Sequence, residues 1–299
     1  MKKILLIYNP KAGNGMFTVH LEKVIAGFAK KNMLVVPYRL GGKMKLANAF
    51  ANLDVNSFHK IIAAGGDGTI HLVVNEMIKH DIHVPLAIYP SGTANDLAAN
   101  FDIPTSIEGM IAVSLTEKYT DMDVGVAGDK CFVNVLAVGM IVDISQKTDP
   151  GIKNTMGVAA YYLKGVSELP KIKATPMRIT SENLQIDANI SAVLVMNGRS
   201  AGGFKNVSPE SETGDGLLDV IVFREMIIPN MFPVLFSVMT GHHLDDKNVE
   251  YFQTSKLLIE STEKNVSSDV DGERGEMLPL AVSILPKRLK INIPGLESK

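Results

Sequence analysis

Ile61-Ile62-Ala63-Ala64-Gly65-Gly66-Asp67-Gly68-Thr69 is a short apolar run that breaks into a loop with three glycines, and an amphipathic pattern over residues 71–79 follows at once. A strand entering such a loop and then a helix offers the free amides of the first helical turn to an anion, while glycine lets the backbone turn tightly and approach a ligand. Outward from this unit the rhythm repeats. Residues 3–8, 34–38, 60–64 and 85–89 read as strands, and residues 18–31, 45–53 and 71–79 as helices. The βαβα order predicts an α/β domain with a doubly wound, mostly parallel sheet, in which sites form at the carboxyl ends of the strands.

Two further loops follow strands of that sheet. Asn9-Pro10-Lys11-Ala12-Gly13-Asn14-Gly15 succeeds the first strand and Ser91-Gly92-Thr93-Ala94-Asn95-Asp96-Leu97 the fourth. Asn, Ser and Thr supply neutral hydrogen-bonding groups, Lys11 a positive charge, and the glycines access, as a nucleotide's phosphates require. A carboxylate among phosphate-binding amides, Asp67, makes sense where a divalent cation bridges it to the phosphates. The plainer reading of the central loop is a strand-to-helix turn with Asp67 and Thr69 as caps. Common nucleotide motifs are absent: there is no GxxxxGK[ST], and Gly13-Asn14-Gly15-Met16-Phe17-Thr18 lacks the third glycine of the dinucleotide fingerprint.

Beyond about residue 122 the texture changes to strands at short spacing, over residues 130–138, 175–180, 184–196, 217–223, 256–260, 280–285 and 289–293, with helical interruptions over 157–168 and 230–240. This pattern predicts a β-sandwich or related antiparallel domain, so the division is 1–122 and 123–299.

The three loops in this order closely resemble those of the bacterial diacylglycerol kinases and related lipid kinases, including sphingosine and ceramide kinases. NAD kinases share GGDGT, and phosphofructokinases share it more loosely. The resemblance runs over nearly the whole chain. It implies a phosphofructokinase/NAD kinase-like nucleotide domain, a C-terminal β-sandwich domain, and a catalytic cleft between them. It also implies ATP and Mg²⁺ as cofactors, with the nucleotide on Asn9, Pro10, Lys11, Ala12, Gly13, Gly65, Gly66, Asp67, Gly68, Thr69, Thr93 and Asn95.

Phosphoryl transfer to an alcohol needs positioning, charge neutralisation and often a carboxylate to accept the hydroxyl proton. Asp269-Val270-Asp271-Gly272-Glu273 holds three acids in five residues. In isolation it reads as a solvated hairpin loop. The family's DGE-type segment supplies the catalytic base, which places Glu273 first and Asp271 second, as base or as holder of the Mg²⁺ and water network, beside Asp67 on the phosphate side. Glu212-Thr213-Gly214-Asp215-Gly216-Leu217-Leu218-Asp219 resembles the family's structural Mg²⁺ loop, with Thr213 and Leu217 binding through main-chain oxygen and Asp215 through its carboxylate. The plain alternative is a Gly-Asp-Gly turn before a strand, and the role of Asp219 stays open. The chain departs from the pattern at Arg39-Leu40-Gly41-Gly42, where the family commonly has nucleotide-contacting threonines, and at Ala137-Val138-Gly139-Met140, which is plainer in glycine than the family's loop.

Composition fits this class. Lys and Arg number 30 against 32 Asp and Glu, for a net charge of −2, so there is no broad basic footprint for nucleic acid. One cysteine, Cys131, excludes an internal disulfide, and no Cys/His cluster suggests zinc. The apolar start ends at Asn9-Pro10-Lys11, too short for a signal peptide, and no run reaches the roughly 18 apolar residues that span a bilayer. The expected setting is cytoplasmic, peripheral at the inner membrane surface, with a lipid substrate. Entry points for lipid would be Ile227-Ile228-Pro229-Asn230-Met231-Phe232 and its continuation to Met239, for which core packing is the more frequent use, or the helix with Tyr161, Tyr162, Leu163 and Lys164, which could instead simply cover the sandwich. A homodimer is compatible with the sequence. The rival readings are an NAD kinase acting on a soluble dinucleotide and a nucleotide-binding regulator without catalysis; retention of Asp67, Asp271 and Glu273 speaks against the second.

Overall fold

The structure is a computed structural model that describes residues 1–42, 45–142, 174–225, 237–238 and 242–295. Apart from Ser237 and Val238, the expected helices over 157–168 and 230–240 lie outside the described residues, as do Tyr161, Tyr162, Leu163, Lys164 and the Met- and Phe-rich stretch. The chain divides into two compact units, Met1–Met122 with Lys287–Lys299, and Asp123–Pro286.

In the first unit, β1 (Lys2–Tyr8), β2 (Met33–Arg39), β3 (Lys60–Gly65) and β4 (Leu86–Pro90) pair in parallel in the order β2-β1-β3-β4. Continuous apolar runs in β1, β3 and β4 suit a parallel sheet covered on both faces. Ile4, Leu6, Ile62 and Tyr89 pack on one face with Val24 and Phe28 of α2 (Leu21–Ala29) and Met110 of α6 (Ile107–Ser114). The alternate residues Leu5, Ile61 and Leu86 are also fully buried. The expected helix over 18–31 is two, α1 (Met16–Val19) and α2, parted at His20. α3 spans Leu46–Asn52, and α4 begins at Asp67 and runs to Lys79, four residues earlier than the apolar periodicity shows. Gly and Asp are poor in helix interiors but well suited to a first turn, so periodicity does not register them. α5 (Asp96–Asn100) and α6 were not anticipated, although Ser106, which caps α6 by accepting from Gly109 N at 3.2 Å, precedes an apolar run.

The sequence reading carried the second domain to residue 299. In the structure the end of the last strand returns to the first unit, because Ile291 pairs in parallel with Leu86 of β4 and Asn292 is gripped by Lys60. Lys60, 1% exposed, donates to Ser114 O at 2.6 Å, Thr116 O at 3.0 Å and Asn292 Oδ1 at 2.7 Å. Lys60→Met keeps the stem and orphans these acceptors, so urea unfolding should show a loss of about 2–4 kcal/mol. Burial lowers the Lys60 pKa to about 8. Above that pH the unfolded chain holds the proton more tightly, so the gap between wild type and variant should widen from about pH 8 to about pH 10.

The second unit is antiparallel. Its strands are β5 (Tyr119–Ala127), β6 (Lys130–Phe132), β7 (Val135–Gly139), β8 (Thr175–Ser181), β9 (Gln185–Met196), β10 (Leu218–Arg224), β11 (Val249–Thr254), β12 (Lys256–Ser261), β13 (Ser267–Val270), β14 (Glu273–Met277) and β15 (Leu280–Asn292). The pairing order is β14-β13-β7-β9-β8-β12-β15, with β10 joining β9 to β11. Val193, Val195 and Val220 point into a core shared with Ile179, Ile259 and Val282, while Leu194, Met196 and Ile221 fill a second cluster on the opposite face. This is the expected β-sandwich domain. Three differences matter: the single strand expected over 130–138 is broken at Val133 and Asn134, 280–285 and 289–293 are one strand, and β5, β11, β13 and β14 are additional.

Candidate functional site

The three glycine loops of the first unit meet at the carboxyl ends of β1, β3 and β4. Asn9 N donates to Ala64 O at 3.0 Å, its side-chain nitrogen to Thr69 Oγ1 at 3.2 Å, and its Oδ1 accepts from Lys11 N at 3.0 Å. Ser91 N donates to Gly65 O at 2.9 Å. Gly13, at φ +54°, lies so close to the third loop that a Cβ there would sit 2.2 Å from Ser91 O. A Cβ on Gly92 would come within 2.6 Å of Gly66 Cα. These glycines are required by loop-to-loop approach, a need that follows from tertiary contact.

Asp67 joins the second loop to the third. Its Oδ2 accepts from Asn95 N at 2.9 Å and its Oδ1 from Asp96 N at 2.8 Å, at the start of α5. Asn95, in the left-handed region, closes the same loop by accepting from Gly92 N at 2.8 Å and donating to Gly92 O at 3.0 Å. The candidate residues therefore separate by what faces out. Lys11, Gly13, Gly68 and Thr93 are exposed, whereas Asn9, Asp67, Thr69 and Asn95 brace the loops from within or between them. Pro10 and Ala12 continue the first loop, with Ala12 N donating to Asn9 O at 3.2 Å. Gly66 caps α4 with no side-chain acceptor, and its carbonyl accepts from Thr69 N at 2.9 Å and Ile70 N at 3.2 Å. Lys11 forms no ion pair among the described residues.

In the second unit the acidic segment is a tight hairpin between β13 and β14, with Asp271 (φ 52°) and Gly272 (φ 87°) as its two turn residues. Positive φ at both positions is the type I′ signature of an Asp-Gly turn. Gly272 N donates to Asp269 Oδ1 at 2.7 Å. The Asp271 carboxylate accepts from Val133 N at 2.7 Å and from Asn134 N and Val135 N at 2.9 Å each. Glu273, two residues on, is exposed, and among the described residues no hydrogen bond or ion pair engages its carboxylate.

The proposed cation loop lies before β10. Thr213 O accepts from Asp123 N at 2.7 Å, and Leu217 N donates to Asp215 Oδ1 at 2.9 Å. Sequence reasoning missed Asp123, which is fully buried and accepts from Gly216 N at 2.7 Å; it lies in β5, a strand that the sequence reading does not assign. Asp219 is also fully buried. Its Oδ1 accepts from Tyr251 Oη and from Gln253 Nε2 at 3.1 Å, while its Oδ2 is buried with no partner among the described residues. Partial burial, and then the Asp219 and Asp123 carboxylates, hold the Asp215 carboxyl above the usual range. Among the described residues no group of three or more His, Cys, Asp and Glu side chains is placed to hold a metal ion, so a hard cation at this loop would rest on main-chain oxygens beside the Asp215 carboxylate.

Comparison with known proteins adds to this geometry. Residues 3–127 match the diacylglycerol kinase catalytic domain, and residues 134–293 match the YegS C-terminal NAD kinase beta sandwich-like domain. The chain is 28% identical to a diacylglycerol kinase of Bacillus subtilis (strain 168), with 98% of this chain and 97% of the relative aligned. It is 29% identical to a diacylglycerol kinase of Staphylococcus haemolyticus (strain JCSC1435), over 97% and 87% of the two chains. The fold matches the crystal structure of a diacylglycerol kinase from Bacillus anthracis strain Sterne with a TM-score of 0.79 at 24% identity, over 98% and 97% of the chains. Two family domains in tandem and relatives aligned end to end make this chain a member of the diacylglycerol kinase family of lipid kinases.

Proposed function

We propose that the chain transfers the γ-phosphoryl group of ATP to the hydroxyl of diacylglycerol, giving phosphatidate and ADP. The observation that carries this reading is the convergence of three loops, locked through Asp67, Asn9 and Asn95, on one sheet edge at the start of α4, with Lys11 exposed and in no ion pair among the described residues. Such a cradle suits phosphate oxygens. Gly68, Thr93, Gly13 and Lys11 bind, and the braced residues keep them in place. Thr213 O, Leu217 O and the Asp215 carboxylate would hold Mg²⁺, which would supply fixed positive charge to the acidic loop. In the transfer the acceptor oxygen bonds to the γ-phosphorus as the bond to the β,γ-bridging oxygen breaks. The hydroxyl proton passes to the Glu273 carboxylate.

Among the described residues no helix is long and apolar enough to cross a membrane. A diacylglycerol substrate resides in a bilayer, so this reading puts the reaction at the cytoplasmic membrane surface, with the protein peripheral. The test is labelled ATP with vesicles of neutral and anionic lipid, with and without diacylglycerol, and a parallel arm with NAD. Label in extracted phosphatidate supports the reading, label in NADP replaces it with an NAD kinase, and ATP binding without turnover in any arm identifies a regulator. Excess chelator should abolish turnover and added Mg²⁺ restore it; turnover that persists in chelator would contradict the metal assignment.

A further inference from the structure

Val133 and Asn134 interrupt an apolar run, Cys131 to Val138, that otherwise has every property of one strand. The interruption has a local cause. Three successive amides, of Val133, Asn134 and Val135, converge on the Asp271 carboxylate at 2.7–2.9 Å, which a fully extended backbone cannot achieve because alternate N–H groups point to opposite sides. The main chain adds a fourth link, since Asp271 N donates to Val135 O at 2.9 Å. Beyond it, β13 and β7 pair from Val270↔Leu136 onward. The tip of the acidic hairpin is thus stapled to the corner between β6 and β7, and Glu273 leaves that tip two residues later.

We infer that Asp271 is a positioning residue and not the proton acceptor: its carboxylate fixes the hairpin tip on the Val133–Val135 corner and so sets where Glu273 is presented. A general base needs a lone pair directed at the proton it removes. A carboxylate has about four such directions, and three amide donors already claim most of those of Asp271. Among the described residues no amide engages Glu273 in this way. The role given to Glu273 rests on the lipid kinase reading, whereas the staple does not.

The experiment compares wild type, Asp271→Asn and Glu273→Gln in two arms. In hydrogen exchange, Asp271→Asn should speed the Val133, Asn134 and Val135 amides by about tenfold or more, because its amide group presents a donor where an acceptor is needed, and leave β8 and β9 unchanged. In single-turnover transfer, Asp271→Asn should lose roughly 10- to 100-fold with ATP affinity preserved and the acid limb of the pH profile retained, as expected for misplacement. Glu273→Gln should abolish that limb. Should Asp271→Asn not fold, replacing Val133 by its α-hydroxy acid removes one donor and no side chain. Faster exchange at Asn134 and Val135 would then support the staple. Unchanged exchange in either variant, or loss of the acid limb in Asp271→Asn with its retention in Glu273→Gln, overturns the inference. A wild type that phosphorylates no lipid overturns the kinase reading alone, and the exchange arm still decides the staple.

Discussion

Glu273→Gln should lower the single-turnover rate of phosphoryl transfer by about 10²- to 10⁴-fold, the range that a positioned proton acceptor contributes. The substitution preserves shape and removes basicity. Glu273 is exposed at the first position of β14 and braces nothing among the described residues, so the fold, the melting temperature and ATP affinity should stay at wild-type values. This separation of chemistry from structure makes the variant informative. A rate within about threefold of wild type would remove Glu273 from the chemical step.

Asp67→Asn should have an effect of comparable size by a different route. Each Asp67 oxygen accepts one backbone amide of the third loop, from Asn95 and Asp96. An asparagine can satisfy one of them and must point its own N–H₂ at the other. The second and third loops should then separate, and because a displacement of about 1 Å in a positioned group can cost roughly 10²-fold, kcat/KM for ATP should fall by about that factor. The circular dichroism spectrum should be unchanged, since the strands and α4 do not depend on this contact. Raised Mg²⁺ should not restore activity if loop anchoring dominates. Recovery with Mg²⁺ would instead give Asp67 primarily a metal-organising role, and near-normal turnover at ordinary Mg²⁺ would exclude both roles.

The different ways in which these acids matter explain how legible the site was. Residue type and local spacing carried far: glycine, Asn and Thr after successive parallel strands mark the three loops that the structure brings together, and the parallel strands are visible as apolar runs. Legibility failed where a residue's partner is remote. Nothing around Val133 announces that its amide belongs to Asp271, 138 residues away, so an unbroken strand was the natural expectation. Asp123 was passed over for the same reason, because its bond to Gly216 spans 93 residues. The Asp-Gly of the acidic segment, in contrast, is a local signal, and the hairpin it predicts is present.

Hydrophobic period, glycine placement and turn chemistry act over a few residues, so sequence alone was enough for the two-part architecture, the three glycine loops and the acidic hairpin. Tertiary structure decided the use of each acid. Asp67 and Asp271 are both occupied by backbone amides brought from elsewhere in their own units, Asp219 and Asp123 are fully buried, and Glu273 is left exposed. The physical reason is that a carboxylate's role follows from which donors fill its lone pairs, and those donors are assembled by folding over separations that local pattern does not encode.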